Sequence, residues 1–123
     1  NRRKHGGDCA VYVGRPESPL GNPWSHKPSK YAERVPSLKL ALDNYAIWLS
    51  GFLWSEIRGP VREEFDRCKE LLRTHGEVHL LCFCVDALRP PVTPPQCHAD
   101  IIAAMLLREV GDGVAPVTQL SLL

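Results

Sequence analysis

With 123 residues, 44% of them hydrophobic and 24% charged, the chain has the size and composition of a single soluble globular domain. A formal net charge of +1 excludes the strong positive field of a non-specific nucleic-acid binder, and no apolar stretch approaches the about 18 residues that a membrane helix requires. Five cysteines are an odd number, which does not suit the closed disulfide framework of a secreted domain. We therefore expect a reducing, cytoplasmic setting, in which cysteines serve as buried hydrophobes, metal ligands or reactive thiols.

The chain opens on "NRRKH", a basic arm that we assign to residues 1–8, ahead of one α/β domain over 9–123. The first residue is not methionine, so further sequence is expected before it. "CAVYV" (9–13) is a short run dominated by strand formers, stopped by Gly14 and Pro16. Residues 14–34 then carry Pro16, Pro19, Pro23 and Pro28 with Gly14 and Gly21, a pattern that argues against regular structure. Ordered loops of that length are uncommon in compact domains and usually functional. Here Gly14 and Gly21 would allow close backbone approach to a ligand, and the prolines would limit the entropy lost on binding. Arg15 offers a planar fork of donors for phosphate or carboxylate, and Asn22 an amide able to read a base edge or a sugar hydroxyl. The loop is neither GxGxxG nor a P-loop. A rigid structural loop is the plainer alternative.

From Ser37 onward Leu38, Ala41, Leu42, Tyr45, Trp48, Leu49 and Phe52 recur at intervals that fall on one face of a helix, started by Pro36 and Ser37 and ending near Gly51. A second helix follows Gly59 and Pro60, with Val61, Phe65, Cys68, Leu71 and Leu72 as its apolar stripe and Gly76 as its stop. Cys68 on that stripe reads as a small core residue. "VHLLCFCV" (78–85) is apolar on both faces apart from His79, as expected of a strand covered by helices on both sides. A proline-rich connection leads to "CHADIIAAMLLREV", a third amphipathic helix ended by Gly111 and Gly113, and "VTQLSLL" forms a last strand. This order predicts a small Rossmann-like α/β sandwich, a short and mostly parallel sheet flanked by about three helices.

If the first two strands are parallel, the loop at Gly14 and the connection to Cys97 leave from the same sheet edge, where open α/β sheets bind their ligands. Cys97, His98 and Asp100 open the third helix there. A thiol at a helix N-terminus faces the positive end of the dipole, which makes Cys97 a candidate nucleophile with His98 or Asp100 as acid or base. The same N-terminus can receive an anion, and Asp100 can equally be a carboxylate that stabilises the first turn. A zinc set of Cys82, Cys84, Cys97 and His98 is the second reading, with spacing C-x-C-x12-C-H that departs from the usual C-x2-C knuckle. A third is a nucleic-acid adaptor using the basic arm and an exposed Trp24.

"GRPESPLGNPW", the Tyr45, Trp48, Leu49 helix, "LLCFC" and "CHADII" together resemble the bacterial and phage family called domain of unknown function 4326. Its pattern runs G-R-x-S-P-x-G-N-P, then Y-x-x-W-L, then C-x-C and C-H-x-D, and the resemblance spans residues 12 to about 105. The C-H pair also resembles a second uncharacterised α/β family with an L-C-x-E and C-H-R ending. Both resemblances imply a Rossmann-like fold with a site at the edge shared by loop and helix, and neither brings an activity. Glu17, an acid absent from the pattern, would weaken a purely anionic site. The segment from Val85 to Gln96 is longer than the pattern implies. The preferred expectation is a domain that binds or processes a nucleotide, a nucleoside or a related phosphate-bearing ligand, between the Gly14 to Pro23 loop and the start of the Cys97 helix. No cofactor and no oligomeric state follow from the residues.

Overall fold

A computed structural model describes residues 10–55, 58–82, 92, 94–110 and 119–122. The basic arm, Cys9, Cys84, most of the connection after Cys82 and the glycines expected to stop the last helix lie outside the described residues.

Strands β1 (Ala10–Tyr12), β4 (His79–Cys82) and β5 (Gln119–Leu122) form a parallel sheet in the order β1-β4-β5. Val11 lies beside Leu80 and Tyr12 beside Leu81, and a hydrogen bond from Val13 N to Leu81 O extends the pairing by one residue. As the central strand, β4 has Leu80 and Leu81 buried on opposite faces, which explains its continuous apolar run.

Between β1 and β4 come β2 (Trp24–Ser25), β3 (Glu33–Arg34), α1 (Leu38–Trp54) and α2 (Pro60–His75), and between β4 and β5 comes α3 (His98–Val110). Both connections step across the sheet in the same direction, from β1 to β4 and from β4 to β5, as helical crossovers between parallel strands do. The helices contact one another in pairs.

Local chemistry accounts for the helix limits. Ser37 caps α1, its hydroxyl accepting from Leu40 N at 3.1 Å. The helix runs through Gly51 to Trp54 rather than stopping at the glycine, because Ser55 closes it by donating its N–H to Gly51 O. In α2 Pro60 occupies the first turn, and Gly76 adopts the left-handed conformation (φ 76°) with its N–H on Leu72 O. Val61, Phe65, Cys68 and Leu72 are the buried stripe. In α3 burial extends from His98 through Ala103, all around the helix rather than along one face. Its first turns are surrounded by the sheet edge, α1 and the loop after β1.

The stretch 14–34 is less irregular than its prolines suggest. β2 and β3 pair in parallel, with Trp24 beside Glu33 and Ser25 beside Arg34. Bonds from Glu33 N to Pro23 O (2.8 Å) and from Val35 N to Ser25 O (2.9 Å) complete this small ladder.

Candidate functional site

The C-terminal end of β1, the loop that follows it and the N-terminus of α3 enclose a cleft of about 500 Å³, within the range typical of small-molecule sites. Gly14, Arg15, Asn22, Cys97 and His98 all line it, five of the seven residues singled out from sequence. Gly21 and Asp100 are not part of the lining.

The loop is held by its own bonds. Ser18 N donates to Gly14 O, Gly21 N to Ser18 O, and Leu20 N to the Ser18 hydroxyl. Leu20 is fully buried, and its carbonyl accepts from the Tyr45 hydroxyl of α1 at 2.6 Å. The Arg15–Pro16 peptide bond is cis. Arg15 Nη1 reaches across the loop to Asn22 O (2.8 Å) and Trp24 O (3.0 Å). Its Nε and Nη2 make no hydrogen bond or ion pair among the described residues, so one side of the fork is free to serve a ligand.

Two sequence expectations change in detail. A Cβ on Gly14 would come within 2.5 Å of the Tyr12 hydroxyl, and one on Gly21 within 3.1 Å of Arg15 Cγ. The glycines make room for the loop's own side chains, and Gly14 also borders the cleft. Asn22 is 7% exposed, with Oδ1 accepting from Trp24 N (2.9 Å) and Nδ2 donating to Ala41 O (3.4 Å). Its amide pins the loop to α1 instead of reading a base. Trp24 is half-buried, edge-on to Trp48 at 6.4 Å between centroids, and so is not the exposed stacking surface the adaptor reading requires.

At the start of α3, Cys97 stands in the N-cap position: its carbonyl accepts from Asp100 N, and its sulfur accepts from Ala99 N at 3.5 Å. His98 Nε2 lies 2.6 Å from Val13 O, the last carbonyl of the β1 run. A carbonyl only accepts, so Nε2 is the donor of this bond and Nδ1 is the nitrogen turned to the thiol. That Nδ1 is 3.8 Å from Cys97 Sγ, and the ring packs edge-on against Tyr45 at 5.3 Å. The thiol thus has an imidazole nitrogen beside it, in a ring whose orientation is set by the Val13 carbonyl. Cys97 is 1% exposed, so a ligand in the cleft can approach only one side of it.

Asp100 is 3% exposed and turned to the backbone before the helix, its carboxylate accepting from Val92 N (3.2 Å) and Gln96 N (2.9 Å). These bonds assign it a capping task, the plainer of the two sequence readings. Cys68 is fully buried away from the cleft, and burial, followed by the nearby Glu64, pushes its thiol up to about 12. Burial, with Cys97 and Cys68 close by, also raises the Tyr45 phenol well above its ordinary value. Cys84 of the zinc set lies outside the described residues, and among those described no group of three or more His, Cys, Asp or Glu side chains could hold a metal.

Sequence reasoning missed Tyr12, Ser25, Lys27 and Gln96 in the lining. Ser25 and Lys27 arrive through the β2 and β3 pairing, which two-residue strands do not announce. Among the described residues the lining includes Arg15, Lys27 and two histidines but no carboxylate, and Glu17 is exposed outside it. Glu17 therefore does not weaken the cleft as the sequence suggested.

No curated protein and no solved structure matches the chain. A family model does: the one described as domain of unknown function (DUF4326) matches residues 1–108, nearly the whole chain, which therefore belongs to the DUF4326 family.

Proposed function

We propose that the domain binds or processes a nucleotide, a nucleoside or a related phosphate-bearing small molecule in the cleft between the Gly14 to Pro23 loop and the start of α3. The observation that carries this reading is a concave site at the C-terminal edge of a parallel sheet, lined among the described residues by cations and donors without a carboxylate. Arg15 and Lys27 supply positive charge, and the N-terminus of α3 adds the positive end of its dipole. Tyr12 and the half-buried Trp24 provide apolar surface for a base or sugar. Cys97, with His98 Nδ1 as its proton acceptor, is the group placed to act on the ligand at a glycosidic or phosphate bond.

Thermal melting in the presence of nucleotides, nucleosides and pentose phosphates tests the reading. A ligand at 100 times its dissociation constant stabilises the fold by about 2.7 kcal/mol, an unmistakable rise in melting temperature for a domain of this size. Absence of a shift with every member of the panel counts decisively against it.

A further inference from the structure

We propose that the lobe beside the cleft, residues 24–35, is a docking surface for single-stranded nucleic acid, which continues outward from the nucleotide held in the cleft. Three observations support this. The first is unbalanced charge. Lys27, Lys30 and Arg34 are all exposed and have no carboxylate partner among the described residues. Along the helices most cations are paired, Arg58 and Arg62 with Asp66, Arg67 with Glu64, and Lys69 with Glu109, while Arg73 and Arg108 in the last turns of α2 and α3 are not, among the described residues. Among the described residues, three cations without a carboxylate partner thus cluster between positions 27 and 34 beside the cleft, where a polyanion would be drawn. Glu33 is the lobe's one carboxylate, and strand alternation turns it to the face opposite Arg34.

The second observation is aromatic. Tyr31 is 53% exposed, and Lys30 Nζ sits 5.2 Å from its ring centroid. One ring face with a cation beside it and the rest open to solvent is the arrangement on which a splayed base stacks without regard to its identity. The third is continuity. Lys27 lines the cleft, and the register places Arg34 beside Ser25, itself a cleft residue. The ladder from Pro23 to Val35 fixes the lobe against the cleft wall, so the two surfaces form one track.

This inference rests on the cleft as the seat of the terminal nucleotide, and the test separates the two. A fluorescein-labelled 12-mer of mixed single-stranded sequence is titrated by anisotropy, and a nucleoside monophosphate is titrated separately by melting shift. The parent, Tyr31→Ala and the triple variant Lys27→Gln, Lys30→Gln, Arg34→Gln are compared. The oligonucleotide is expected to bind the parent, with Tyr31→Ala weakening it at least five-fold. The triple variant should lower the slope of log Kd against log salt by about two, as three phosphate contacts on a single strand require. Tyr31→Ala should leave the melting shift with the mononucleotide at its parental value. A mononucleotide that binds while the oligonucleotide does not overturns the docking surface and leaves the cleft reading intact. Parental oligonucleotide affinity and salt slope in the triple variant overturn it too. So does equal binding by poly-glutamate or by vesicles of phosphatidylserine, with no effect of Tyr31→Ala, since that outcome describes a generic acidic partner.

Discussion

Asp100 offers the sharpest test of how the start of α3 is built, because its two readings predict opposite results. Its oxygens accept from Val92 N at 3.2 Å and Gln96 N at 2.9 Å, and the residue is 3% exposed. A hydrogen bond to a charged group contributes about 1.5–3 kcal/mol, and an acidic side chain in the first turn of a helix adds about 0.3–1 kcal/mol through the dipole. Gln96 is exposed, so water recovers part of its bond when the acceptor is lost. Asp100→Ala is therefore expected to cost about 3–5 kcal/mol. Asp100→Asn, which keeps one acceptor oxygen but points an N–H2 at the other donor, is expected to cost about 2–3 kcal/mol. Against a total stability of about 5–15 kcal/mol these are large losses. Urea unfolding read by tryptophan fluorescence measures them as a lower midpoint with an unchanged slope. Gln96 forms the lip of the cleft, so ligand affinity should fall together with stability. The reasoning is refuted if Asp100→Asn unfolds within about 0.5 kcal/mol of the parent, the range of an ordinary surface change, because the carboxylate would then be available for chemistry rather than holding the backbone.

Tyr45→Phe keeps the ring against Trp48 and His98 but leaves Leu20 O without its 2.6 Å donor, and should cost about 1–3 kcal/mol in the same urea assay. Gly14→Ala forces Tyr12 aside and breaks the bond from its hydroxyl to Arg15 O; a double-mutant cycle with Tyr12→Ala should recover most of the loss, and additivity of the two changes would show that the clash is not its cause. Cys68 is neutral in the folded state up to about 12 and ionises from 9.0 when unfolded, so its contribution is complete below pH 9 and is lost as pH rises toward 12. Unfolding free energies measured from pH 9 to 10.5 should therefore fall by about 1–2 kcal/mol more in the parent than in Cys68→Ala, and parallel curves would contradict the shift. Iodoacetamide at neutral pH, followed by peptide mass mapping, should label Cys97 well ahead of Cys68 and more slowly when a nucleotide fills the cleft; equal rates would remove the activated thiol from the proposal.

Local signals were sufficient for α1 and α2. Ser37, Pro60 and Gly76 act within one turn of their own positions, and the stripes of α1 and α2 depend on a period that any reader of the sequence can count. The alternation of strands and helices likewise implied parallel pairing, and from that alone the loop at Gly14 and the turn at Cys97 were brought to one edge, where the cleft is found. What the residues could not express is how each polar group divides its bonds between the fold and a ligand. Asn22 and Asp100 had the right chemistry for a site, but Trp24, Ala41, Val92 and Gln96 take up their capacity through contacts as far as nineteen residues apart. The glycines looked like openings for a ligand until Tyr12 and Arg15 occupied the space beside them. The partner of His98 is Val13, 85 residues away, and only chain closure brings that carbonyl to the imidazole and so sets which nitrogen faces the thiol. Periodicity and capping are properties of neighbours in the chain and were legible from it. The assignment of hydrogen bonds, and with it the line between structural and available groups, is a property of neighbours in space, which the tertiary structure alone decides.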